Sequence, residues 1–384
     1  MTESIKQNQS HLPWLDGLRG GAAVWVLLSH VQILSGLHSV PILSWGNLAV
    51  DLFMMLSGFL MAHHYIERRN AEPWNSKKTI GLFWIRRFFR IAPLFYFLLI
   101  IAFLIGPWLN ECRNVIAAVW PSTATTPERY TDNSVINFLT HITFIFGFLP
   151  SFSFRSPLPD WSIGLEMQFY LFFPFIMLLF STLGALRTTL LLLIICLAMR
   201  FFFHDFMRAF PMPSFLPLKL YVFMIGIWIA VSRSHGSMKT GFLVALAISG
   251  LWLLIERDQT AVARIFLIIA MFYLMDNGTM PLSLSFRKAI EFVRQVLSNR
   301  ISRFLGDTSY SSYLLHLLIV LPIAAWLVKF DQYLALSGGL RFLTCLVLCL
   351  PLIYLGAWLL YNVLEIKGIA LGKHFLSVIK NNRN

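Results

Sequence analysis

The chain has 384 residues, of which 57% are hydrophobic and only 13% charged, and its formal net charge is +13. Soluble domains run nearer half apolar and a quarter charged, so a soluble enzyme or a free-standing binding module is excluded. The positive charge is not a nucleic-acid footprint either. The basic residues sit in short loops between apolar runs, which is the pattern of cytoplasmic loops in membrane proteins.

Eleven apolar stretches follow one another, at about 20–38, 47–66, 88–109, 134–150, 161–183, 187–203, 217–233, 240–256, 262–279, 308–329 and 341–364. They define an all-α polytopic membrane protein, read as one integral-membrane domain over 1–384 with a polar tail at 1–14 and a basic cytoplasmic tail at 366–384. The first run follows a polar segment and has no small-residue cleavage site, so it is expected to stay as an uncleaved span. The loop 67–90 carries Arg68, Arg69, Lys77, Lys78, Arg86, Arg87 and Arg90, and the loop 281–303 carries Arg287, Lys288, Arg294, Arg300 and Arg303. Both should be cytoplasmic. Seven crossings between them would put them on opposite sides, so one stretch must fail to span.

The stretch 134–150 is the weakest, being short, polar at Asn137, Thr140, His141 and Thr143, and ended by Pro150. Treated as re-entrant from the outer face, it leaves ten spans, with both termini inside and Glu111, Glu128, Asp132 and Asp258 outside. Re-entrant backbone must be shielded by protein or line a cavity. The basic, amphipathic segment 285–303 is expected to lie along the inner surface. Cys112, Cys196, Cys345 and Cys349 form no metal or disulfide framework and read as packing residues.

Arg19 and His30 are eleven positions apart, roughly 1100° of helical rotation and about 16 Å of rise. They share one face, with Arg19 at the membrane edge and His30 deep in the first span. An ionisable group at that depth is costly, so it marks a function by default. Asp51 lies just inside the outer end of the second span, ahead of Ser57 and Gly58, whose small side chains permit close helix approach. Arg87 and Arg90 stand one turn apart at the start of the third span, where forked donors suit phosphates; simple positive-inside anchoring reads the same spacing. In 159–170, Ser162 and Glu166 are one turn apart, and Trp161 and Tyr170 read as interface aromatics or sugar-stacking platforms. Tyr313 and His316 enter the tenth stretch from the inner side, His316 as a second catalytic group or a structural hydrogen bonder.

Taken together these spellings resemble the acyltransferase 3 family of integral-membrane O-acyltransferases. The resemblance rests on Asp16-Gly17-Leu18-Arg19, on Arg19 with ten residues before His30, and on Val50-Asp51-Leu52-Phe53 running into Ser57-Gly58-Phe59. It continues in the Arg87/Arg90 pair, Trp161-Ser162 with Glu166 and Phe169-Tyr170, and Ser309-Tyr310 with Tyr313 and His316. It departs at Glu365-Ile366-Lys367, where the family carries Glu-Arg-Pro. No extracytoplasmic hydrolase-like segment follows the last stretch, so a second transfer step is expected to need another protein.

The resemblance implies about ten spans in a bacterial inner membrane. It implies transfer of an acyl group, usually acetyl, from cytoplasmic acetyl-CoA to a hydroxyl of a surface polysaccharide, a lipid-linked glycan or a related sugar. No bound cofactor or metal is implied; acyl-CoA is a substrate. His30, Asp51 and Glu166 are the implied catalytic group, with Arg19, Arg87 and Arg90 binding the donor. Ser57, Trp161, Ser162, Tyr170, Tyr313 and His316 are supporting or acceptor-side residues. Membrane lipid is the expected surroundings, no nucleic-acid partner is expected, and a homo-oligomer or a polysaccharide-assembly partner stays open. A sugar or lipid exporter is the competing class, because buried Arg, His and acids also line transport paths. Against it, no repeated half or pair of broken helices is visible. A scaffold in an assembly complex is the third class, and it predicts that His30 and Glu166 are replaceable.

Overall fold

A computed structural model of the chain describes residues 12–256 and 259–381. Asp258 and the first eleven residues of the expected polar tail lie outside the described residues. Fourteen helices of eight residues or more carry the described architecture, with no strand among them. They are α1 Pro13–Leu34, α2 Gly46–Arg68, α3 Lys77–Val119, α4 Val135–Ile142, α5 Trp161–Leu183, α6 Ala185–Phe202, α7 Leu216–Ser234, α8 Met238–Glu256, α9 Gln259–Met275, α10 Leu284–Leu297, α11 Arg300–Asp307, α12 Ser309–Leu327, α13 Gly338–Leu360 and α14 Ile366–Asn381.

Among the described residues, nine helices are long and apolar enough to cross a membrane, and Thr260–Met275 is a shorter apolar helix. The ten together correspond to the ten spans read from loop charge. The stretch 134–150 is not one of them. Its helix α4 has eight residues, about 12 Å of rise against a hydrocarbon core of roughly 30 Å. Ser134 caps it by accepting from the Asn137 amide at 3.2 Å, and Phe144 ends it in the left-handed region at φ 59°. A 3₁₀ turn over Ile145–Phe148 follows.

The structure sets the helix bounds of three segments. The third span is far longer than 88–109, because helix runs unbroken through the basic loop to Lys77 and on to Val119. The amphipathic segment 285–303 forms two helices. Asn299 breaks it by accepting from the Ser302 amide at 2.8 Å and so capping α11. The basic tail is helical over Ile366–Asn381, α14, which joins α13 through the π-helical turn Tyr361–Glu365.

The chain divides into two compact units, each discontinuous in sequence. The first comprises the stretch through Leu28, Trp45–Ile66 and Val222–Tyr310; the second comprises Ser29–Ser44, Glu67–Tyr221 and the stretch from Ser311. In the first, α2 and α7 meet backbone to backbone. A Cβ on Gly58 would lie 2.2 Å from the Phe223 carbonyl oxygen, and one on Gly226 would lie 2.0 Å from that of Met55. Only glycine permits such an approach. In the second, Trp84 on α3 donates from Nε1 to the Tyr170 carbonyl of α5 at 3.1 Å. Gly368 and Gly372 let α14 lie against Phe89 and Pro93 of α3.

Candidate active site

The second unit gathers most of the residues that the sequence singles out. His30, on the last turns of α1, is half-buried, and His316 on α12 is 1% exposed. His316 Nε2 lies 3.2 Å from His30 Nδ1, and the ring centroids are 4.9 Å apart. One ring bonded to His30 is thus another imidazole. His316 is itself tied down, with Nδ1 2.7 Å from the Tyr313 carbonyl oxygen.

Tyr313 anchors the same turn of α12. Its hydroxyl donates to the Pro159 carbonyl at 2.9 Å. That uses the phenolic hydrogen, so Ser162 is the donor in the 2.7 Å contact between the two hydroxyls. Below it, Ser311 donates to Glu365. Glu365 is 8% exposed and lies in the π-helical turn, a device often found at functional sites.

A second cluster forms where α3 meets α5. Arg86 is neutralised by Glu72 in a two-bond fork at 3.0 and 2.7 Å. Arg87, the next residue, has no carboxylate within ion-pair distance among the described residues. Its guanidinium carbon stands 5.6 Å from the ring centres of both Phe83 and Tyr170. Its Nε is buried without a hydrogen-bond partner. Such a cation, held by aromatic faces with its Nε unbonded, suits an anion. The Tyr170 hydroxyl donates to Glu166, one turn earlier on α5. Arg90, one turn after Arg87, is exposed.

Two positions differ from the aromatic-platform reading. Trp161 and Tyr170 are 6% and 4% exposed, and the Tyr170 ring lies against Arg87, so neither presents an open face to a sugar. The remaining predicted residues belong to the first unit. Arg19 lies 3.9 Å from Asp16 on its own helix. Asp51 is fully buried and accepts from Arg264 Nε at 2.7 Å, Arg264 being 1% exposed. Ser57 is half-buried beside Gly58.

The structure also assembles groups that sequence reading passed over. Arg264 is a lone charge inside an apolar stretch, and its partner is 213 positions away. His141 and Asp160 form a buried pair, Nε2 to Oδ2 3.6 Å, beside the start of α5. His141 donates from Nδ1 to the Asn137 carbonyl at 2.8 Å and stacks on Phe146 at 4.3 Å. Its Nε2 and the Asp160 oxygen therefore face each other as two acceptors unless a proton lies between them. Burial pushes the Asp160 carboxyl above its ordinary range, which favours that proton.

Comparison with known proteins agrees with this chemistry. The family described as "Acyltransferase domain" (acyltransferase 3) matches residues 12–361. The peptidoglycan O-acetyltransferase OatA of Listeria monocytogenes is 26% identical over 195 residues, 47% of this chain and 26% of the relative. Acyltransferase MdmB of Streptomyces mycarofaciens is 32% identical over 172 residues, 42% of this chain and 38% of the relative. A Staphylococcus aureus (strain COL) protein that carries a provisional O-acetyltransferase name is 25% identical over 342 residues, 81% of this chain and 51% of the relative. In each case the match spans about half or less of the relative's length. No solved structure matches. With the family model covering residues 12–361, the chain belongs to the acyltransferase 3 family.

Proposed function

We propose that the chain moves an acetyl or other short acyl group from cytoplasmic acyl-CoA to a hydroxyl of a sugar-bearing acceptor, a surface polysaccharide or a lipid-linked glycan. The observation that carries the reading is that one unit holds both chemistries such a transfer needs. It has a half-buried, hydrogen-bonded imidazole at His30 and a guanidinium at Arg87 with its Nε unbonded. Arg87 and Arg90 bind donor phosphates; the donor role of Arg19 rests on the family motif. The peptidoglycan acceptor in the name of OatA belongs to that relative, and it supports the glycan class here. The proposed setting is a bacterial inner membrane with both termini cytoplasmic.

In the proposed reaction His30 takes the proton of the acceptor hydroxyl as the oxygen bonds to the thioester carbon. The carbon–sulfur bond breaks, and the proton passes to the departing thiolate. Alternatively the imidazole first accepts the acyl group and then yields it to the hydroxyl. The Tyr170 ring holds Arg87 in place, and Glu166 fixes Tyr170 by accepting from its hydroxyl. Cells carrying wild type or His30→Ala at matched membrane expression would be compared by mass spectrometry of surface glycans and glycolipids. A mass increment of one acetyl group, present in wild type and lost in the variant, is expected. An increment retained in the variant overturns the mechanism. No covalent difference between wild type and deletion, despite a phenotype, would point to transport.

A further inference from the structure

The Tyr313 carbonyl oxygen carries no hydrogen, so His316 Nδ1, 2.7 Å away, must be an N–H. His316 is 1% exposed, and among the described residues no carboxylate is bonded to it. A second proton on this ring would leave an unbalanced buried charge, so the ring is neutral and its Nε2 bears a lone pair. His30 Nδ1 faces that lone pair at 3.2 Å. Two lone pairs cannot make this contact, so the hydrogen is on His30 Nδ1. In its neutral form His30 then carries its own lone pair on Nε2.

We infer that His316 is a positioning residue that locks His30 in the Nδ1–H tautomer, making Nε2 of His30 the nitrogen that takes the acceptor's proton or the acyl group. The catalytic half of this inference rests on the acyl-transfer reading; the tautomer does not. The arrangement has the logic of a buried carboxylate behind a catalytic histidine, with one change suited to a membrane interior. An imidazole accepts the same hydrogen bond without a permanent charge to desolvate. It also explains why the turn of α12 bearing His316 is fixed so firmly. The Tyr313 hydroxyl is held between Pro159 and Ser162, and Ser311 is held by Glu365.

Solid-state NMR of the full chain, labelled with 15N-histidine and reconstituted in lipid bilayers, would read the tautomer directly. The His30 signals are identified by their loss in His30→Ala. In wild type, Nδ1 protonated and Nε2 bare is expected. His316→Gln places an amide oxygen near the site of Nε2 and should keep that tautomer; His316→Phe keeps the ring shape without the acceptor and should lose it. With acetyl-CoA as the probe, His316→Phe should lower kcat roughly 10–100-fold, as loss of a supporting partner does elsewhere. KM for acetyl-CoA should stay within about twofold, and His316→Gln should recover most of kcat. A wild-type His30 protonated at Nε2, or full turnover by His316→Phe, overturns the inference. If wild type consumes no acetyl-CoA, the acyl-transfer reading fails, while the NMR result still decides the tautomer.

Discussion

At the residue scale, adjacent arginines with the same spelling have different tasks. Arg86 is spent on Glu72, whereas Arg87 is held by two aromatic rings with its Nε unbonded. On the donor-binding reading, Arg87→Lys should raise KM for acetyl-CoA about tenfold, near 1.4 kcal/mol, because an ammonium loses the planar fork and much of the stacking. Arg86→Lys should change it less than about twofold, because Arg86 is already paired with Glu72 and a partly solvent-screened pair contributes little. Initial rates on reconstituted protein over a range of acetyl-CoA concentrations distinguish the two. Equal effects would sink the assignment. Spacing could mark Arg87 and Arg90 as a pair, but only the fold separates Arg87 from Arg86, since Glu72 and Tyr170 are brought to α3 by tertiary packing. Arg264 was illegible for the same reason. One charge in an apolar run gives no clue to its partner, and Asp51, visible as a costly acid, is answered from a distant helix.

At the element scale, apolar period and loop charge made the helices readable, because lipid leaves the backbone few alternatives. Helix ends were less readable. The basic start of α3 looks like a loop in hydropathy, yet it continues a helix whose amides are already paired. Gly58 was legible as a site of close approach, and its neighbour is now identified as the backbone of α7. Gly58→Val should lower stability by about 1–3 kcal/mol, since the intruding atoms meet a carbonyl rather than a movable side chain. Gly21→Ala is the matched control. A Cβ there meets nothing within 4 Å, so the helix should gain up to about 1 kcal/mol. Thermal unfolding of both variants in detergent reads the sign: Tm down for the first, unchanged or up for the second. A Gly58→Val protein as stable as wild type would refute the close contact.

At the scale of the whole molecule, charge and length agree on an orientation that neither carries alone. Helix α3 has 43 residues, about 65 Å at 1.5 Å per residue, which exceeds the roughly 40–45 Å of a full bilayer. Both its ends must therefore reach water. One end carries Lys77, Lys78, Arg86, Arg87 and Arg90; the other leads to Glu128 and Asp132. On the proposed function, the basic end belongs in the cytoplasm by the positive-inside rule, where an acyl-CoA would meet Arg87, and Glu128 belongs outside. The four native cysteines are buried and should not compete in a labelling experiment. A membrane-impermeant maleimide applied to intact spheroplasts should therefore label Glu128→Cys and spare Lys78→Cys until the membrane is opened; both positions are exposed. The reverse pattern would place Arg87 on the side without acyl-CoA, and the proposed donor route would have to be abandoned even if His30 proved essential.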